Sequence, residues 1–171
     1  PHQTRTQHGK TFNDQFLAQR PGQFMYHPHA DEMKQMAMGM MVFWVTHPKA
    51  RHPLIDEVDR DFVFLLNAYD IDPGSYTPKI MTMLDFNLWS SNSRIFPGID
   101  HLVVRTNDKV SIRISNLTMT NTPMPLHGHE CLGTGPDGRP PPQASPHPDP
   151  TTNAPRAPTT NAKARVAPVD P

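Results

Sequence analysis

The chain has 171 residues with sixteen basic and sixteen acidic side chains, so its formal net charge is zero, and no dense basic run is present to neutralise a phosphate backbone. That argues against nucleic acid as a partner, and a single cysteine, Cys131, excludes an internal disulfide framework and any paired-cysteine zinc or redox motif. The longest apolar run, Met36 to Val45, is about half of what a membrane-spanning helix needs, so no membrane span is expected.

No charged-then-apolar leader follows Pro1, so no signal peptide is expected within the chain. Arg20-Pro21-Gly22 reads as a turn between two short extended segments. Gln23 to His29 alternates apolar and polar residues as a half-buried strand does, with Phe24 and Tyr26 on one side and Met25, His27 and His29 on the other. Pro28 has no N–H for a ladder, so this strand should end at an edge or open onto a loop. Met33, Met36, Ala37 and Met40 sit at helical spacing and predict a short helical turn over Ala30 to Ala37, ended by Gly39. Met40 to Thr46 then reads as a buried strand.

Phe62 to Tyr69 and Lys79 to Leu88 are two further apolar runs, both predicted as strands, separated by the turn Asp72-Pro73-Gly74-Ser75. Leu102–Arg105 and Lys109–Ile114 flank Thr106-Asn107-Asp108 as a hairpin would, with Val110, Ile112 and Ile114 on one face. From Gly133 onward the only large aliphatic residues are Val166 and Val169, and eleven of the 21 prolines lie between Pro136 and Pro171. Such a segment buries too little apolar surface to offset the entropy of ordering it, and residues 132–171 are expected to be disordered. Short strands with turn chemistry between them predict an all-β sandwich or barrel.

Two His-x-His pairs stand out, His27-Pro28-His29 and His127-Gly128-His129. In an extended strand, positions i and i+2 project to one face about 7 Å apart, so each pair presents two imidazoles side by side. Neutral imidazole suits copper, zinc, iron and nickel, with copper favoured by the usual affinity order. A single such pair also arises by chance in a chain with ten histidines. Met33, Met36, Met38, Met40 and Met41 are read either as a soft Cu(I) site or, preferably, as adaptable core packing. Asp31 and Glu32 are read either as proton relays or, preferably, as solvated loop carboxylates. Asn116-Leu117-Thr118 fits a glycosylation acceptor, a pattern short enough to arise by chance.

Around these pairs the sequence resembles the multicopper oxidases, the laccase-like family. Gly9-Lys10-Thr11-Phe12 with Phe24-Met25-Tyr26-His27-Pro28-His29 resembles the second histidine pair of the family's first cupredoxin domain, and His27 to Met33 is especially similar to bacterial copper oxidases. Ser93 to Gly98, Lys109 to Asn116 and Thr122 to His129 resemble the opening of the final cupredoxin domain. The resemblance implies Greek-key β-sandwich pieces: 1–47 from a first cupredoxin domain, 48–94 as a connecting segment with strands, 95–131 from the final domain and 132–171 as the Pro-rich tail. It implies copper as cofactor, dioxygen and a reducing substrate as partners, and a periplasmic or extracellular location.

The resemblance also implies roles and losses. His27, His29 and His127 match ligands of the type 3 coppers, whereas His129 matches a position that is not normally a ligand. Thr122 and Pro125 stand where the family has histidines for the type 1 and type 2 coppers. No His-Cys-His segment follows, and Cys131 is not placed to be the type 1 cysteine, so no oxidase turnover is expected from this chain alone. Thr122 follows His27 by only 95 positions, which fits a two-domain parent whose copper cluster forms between subunits of a homotrimer. The change of composition after Cys131 predicts a frame-shifted or misjoined tail, testable by translating the parent DNA in the other frames. A cupin is the alternative enzyme class, through Gly22, His27, His29, Glu32 and Gly39, although two of its gaps are each one residue short. A non-enzymatic β-fragment with weak or no metal binding is the third reading.

Overall fold

A computed structural model describes residues 5–52, 57–124, 126–127, 129, 131–136, 145–147, 152–153 and 159–165. Among them the chain is built of strands with a single short helix, as the turn-rich sequence predicts. Strand β1 (Gly22–Tyr26) pairs antiparallel with β2 (Val42–Thr46), Phe24 opposite Trp44, and helix α1 (Glu32–Ala37) lies in the connection between them. The expected half-buried alternation of β1 does not hold, because Phe24, Met25 and Tyr26 are all exposed, and β2 is only partly covered. Two strands make too little surface to cover both faces of each other. Part of the cover comes from the irregular segment before β1, whose Phe16 ring lies 5.2 Å from that of Trp44, and β1 also lies against β5 and β10.

The larger sheet runs in the order β4-β3-β5-β10-β7-β8. Its strands are β3 (Arg60–Tyr69), β4 (Leu88–Ser91), β5 (Lys109–Asn116), β7 (Cys131–Pro136), β8 (Ser145–His147) and β10 (Thr159–Arg165). Strand β6 (Thr122–Pro123) pairs separately with β9 (Thr152–Asn153). β3 and β5 pair in parallel, Phe62 opposite Ile112 and Phe64 opposite Ile114, and the other pairs in the large sheet are antiparallel. A parallel pair requires a crossover, supplied here by residues 70–108.

β5 is the centre of the fold. Val110 and Ile114 are buried on one face as the alternation predicts, together with Leu66 and Ala68 of β3 and Leu117 just beyond β5. Burial of each of the larger aliphatic side chains is worth about 1.5–3 kcal/mol. The opposite face is covered as well: Ser111 and Ser115 are fully buried, and Arg113 is buried with its Nε 2.9 Å from both carboxylate oxygens of Asp61. Strands β3 and β4, which the sequence assigns to a connector, therefore share a sheet with the strand of the expected final domain.

Two strand assignments are corrected. Leu102–Arg105 does not pair with β5, although the turn between them forms: Asp108 accepts from the Arg105 N–H at 2.8 Å, and Asn107 takes a left-handed φ of 71°. Both edges of β5 are already taken, by β3 and β10. Residues 79–87 form turns and bends rather than a strand, and only Leu88 enters β4. Polar side chains fold this segment back on the end of β3. Thr82 donates to Asp70 at 2.7 Å, Lys79 pairs with Asp72 at 2.7 Å, and the Asn87 amide bonds both the N–H and the C=O of Ile71. The Asp72–Ser75 turn closes as predicted, with the Ser75 N–H on the Asp72 carbonyl at 2.9 Å and Gly74 at φ 81°.

Within the segment expected to be disordered, the backbones of residues 132–136, 145–147, 152–153 and 159–165 pair as strands. The ladder that β5 and β7 offer gives the backbone of 159–165 partners on both sides, which composition alone does not reveal. The remaining tail residues lie outside the described set. Asn116, of the glycosylation pattern, is buried, and its side chain is committed to a turn: it donates to the Thr120 carbonyl and accepts from both the N–H and the hydroxyl of Thr118.

Candidate metal centre

Strand β1 stops at Tyr26, just before the residues that carry the first histidine pair, as the missing N–H of Pro28 requires. His27 and His29 therefore sit in the connection leading to α1, not on the strand. Their rings still meet, with centroids 5.2 Å apart and planes tilted by 47°. Asp31, at a left-handed φ of 47°, turns the chain into the helix, and the Gln35 amide donates back to the Ala30 carbonyl. This return brings Glu32 Oε1 to 3.1 Å from His27 Nδ1. Nδ1 thus faces two oxygen atoms, that carboxylate and the Pro28 carbonyl at 3.3 Å. Oxygen atoms on the Nδ1 side suit a metal-binding imidazole that keeps its proton there and offers the Nε2 lone pair.

Asp31 and Glu32, adjacent in sequence, thus part company. Glu32 holds His27, while Asp31 faces Arg5 in an exposed pair at 3.4 Å. The sequence pointed to Glu32 as a relay or a solvated carboxylate; its position makes it the group that orients His27.

The second pair behaves differently. His127 is exposed in the connection between β6 and β7, and His129 is partly covered, with its Nδ1 shielded from solvent and without a hydrogen-bond partner among the described residues. Thr122 lies 3.5 Å, hydroxyl to hydroxyl, from Thr118, and Pro125 is outside the described residues. Cys131 is 5% exposed in β7 against Leu126, and burial pushes its thiol pKa above the ordinary value. Among the described residues no three histidine, cysteine or carboxylate side chains gather closely enough to hold a metal ion. The structure brings His27 and His29 together and does not add His127 to them.

The sequence pattern of the multicopper oxidases matches residues 72–167, more than half of the chain. The chain belongs to the multicopper oxidase family. The matched span includes the proline-rich segment and β10. Solved structures agree in fold. The multicopper oxidase mgLAC superposes with a TM-score of 0.72 at 22% identity, over 90% of this chain and 48% of that one. The blue copper oxidase from Nitrosomonas europaea gives 0.70 at 20% identity, over 88% and 47%. The copper nitrite reductase from Nitrosomonas europaea gives 0.71 at 20% identity, over 91% and 56%. No curated protein sequence matches.

This multicopper oxidase chain spans about half the length of the first two of these relatives. The all-β, cupredoxin-like architecture expected from the sequence is the architecture of these copper proteins, and the family match sets the cupin alternative aside. The family couples a reducing substrate to dioxygen through copper. The described residues fit two imidazole ligands, one of them facing a carboxylate; they do not fit the family's full copper set, since Thr122 bonds Thr118 and no three histidine, cysteine or carboxylate side chains gather among the described residues.

Proposed function

We propose that this chain is a copper-binding portion of a multicopper oxidase that holds copper through His27 and His29 and does not turn over dioxygen alone. The observation that carries this reading is the ring pair 5.2 Å apart with Glu32 on the Nδ1 of His27, in a chain whose lone cysteine lies buried in a sheet. Two neutral imidazoles suit copper, whereas electron entry in the family needs a thiolate. His127 completes the site only where another chain or segment brings further ligands to it. The same reading places the protein in the periplasm or outside the cell, with the family's cluster assembling between subunits of a homotrimer.

Loading with Cu(II) followed by desalting tests the proposal. Copper is expected to stay with the chain and to be lost from the double variant His27→Ala/His29→Ala, with no intense blue thiolate band and no oxygen uptake with a phenolic donor. A blue band or oxygen consumption overturns the claim of inactivity. A chain that retains no copper overturns the binding claim and leaves the inert β-fragment.

A further inference from the structure

A second place in the molecule has the chemistry of a metal site, and its donor atoms are not those of the histidines. A cavity of about 260 Å³ opens between α1, the end of β3, the folded-back segment 78–86 and the residues just after β5. Met33 and Met36 line it from α1, Met83 from the folded-back segment and Met119 from beyond β5. The two on α1 are three residues apart and so share a helix face. Four of the chain's ten methionines, from three separate stretches of sequence, therefore reach one cavity.

Three of the four remain open to solvent at the cavity. Met33, Met83 and Met119 are 38%, 45% and 48% exposed, whereas a methionine that fills a core gap is covered. Thioether sulfur is a soft, uncharged donor that selects Cu(I) over harder divalent ions. Charge favours a cation too: Asp70 and Glu32, the latter also facing His27, line the cavity against the single ammonium of Lys79, which is already paired with Asp72 at 2.7 Å and Asp70 at 3.5 Å. We propose that this cavity is a thioether site for a soft monovalent cation, Cu(I), independent of the His27/His29 pair.

Methionine methyl NMR of the full chain during titration with Ag(I), a closed-shell stand-in for Cu(I), tests the proposal without any substitution. Single Met→Leu variants serve to assign the ten resonances. The methyls of Met33, Met36, Met83 and Met119 are expected to shift together and saturate, with those of the other six unmoved. Competition for Cu(I) against a chromophoric chelator under reducing conditions is the second readout. The triple variant Met33→Leu/Met83→Leu/Met119→Leu, which conserves side-chain volume, should bind at least tenfold more weakly than the parent, and His27→Ala/His29→Ala should bind as the parent does. Shifts confined to the other six methionines, an absence of shifts, undiminished affinity in the triple variant, or loss of Cu(I) from the histidine variant each overturns the proposal. None of these outcomes bears on whether the imidazoles hold Cu(II).

Discussion

His27 Nδ1 and Glu32 Oε1 lie 3.1 Å apart across the bend between β1 and α1, an arrangement that suits offering the other ring nitrogen to a metal. Removal of the carboxylate in Glu32→Ala is expected to weaken Cu(II) binding by about 10–100-fold, the usual effect of losing such an orienting partner. Glu32→Gln, which keeps an acceptor, should lose less. Chelator competition with Cu(II) on the three proteins checks the order; equal affinities would remove Glu32 from the site.

Arg113 is 4% exposed in its side chain and Asp61 35% exposed, so the two ends of their ion pair are unequal. Asp61→Ala strands the buried guanidinium and is expected to cost up to about 3 kcal/mol, discounted from the fully buried case because Asp61 is partly solvated. Arg113→Met, which removes the charge as well, should cost less. Urea unfolding midpoints of the two variants measure the difference.

Asn92 takes a left-handed φ of 50°, and its side chain bridges the Leu65 N–H and the Val63 carbonyl, each at 2.8 Å. Asn92→Gly keeps the conformation and loses the bridge, while Asn92→Ala also pays the left-handed strain. The glycine variant is expected to lose about 1 kcal/mol and the alanine variant about 2 kcal/mol in thermal unfolding.

Cys131 carries a folded-state thiol pKa raised by burial. Above the unfolded value, about 8.5, the unfolded chain releases its thiol proton while the folded chain keeps it. The stability that the thiol contributes is thus complete below that pH and is lost as pH rises through the folded value. Alkylation at pH 8 should be slow in the native protein and fast in denaturant, and Cys131→Ala should flatten the alkaline fall in stability.

Among the described residues no third strand pairs with the two-stranded β1–β2 sheet, which exposes Phe24, Tyr26 and Val42. Concentration-dependent association is expected in sedimentation velocity, and Val42→Lys, a charge on an edge strand, should suppress it. A monomer at all concentrations would contradict this.

What was legible in the sequence follows from how local each signal is. β5 was read correctly because Val110, Ile112 and Ile114 alternate, and the turn at Gly74 because only a few residues adopt its positive φ. The His27/His29 pair was visible through its spacing. Residues 79–87 were misread because Ile80, Met81, Met83 and Leu84 look like a strand, while the bonds that bend them, from Asp70, Asp72 and Ile71, come from across a turn. β10 was invisible for the same reason: Thr159–Arg165 has little apolar character, and its place depends on two strands distant in sequence.

Strand β10 sits between β5 and β7, with Ala162 opposite Ile112 on one side and Gly133 on the other. The ribosome makes it after every other described strand of its sheet. Until residues 159–165 emerge, β5 carries one unpaired ladder edge at the heart of the fold, and β7 waits beside it with no neighbour to join it to β3. Such distant pairing is slow to form. The nascent chain is therefore open to unwanted strand addition until residues 159–165 have been translated.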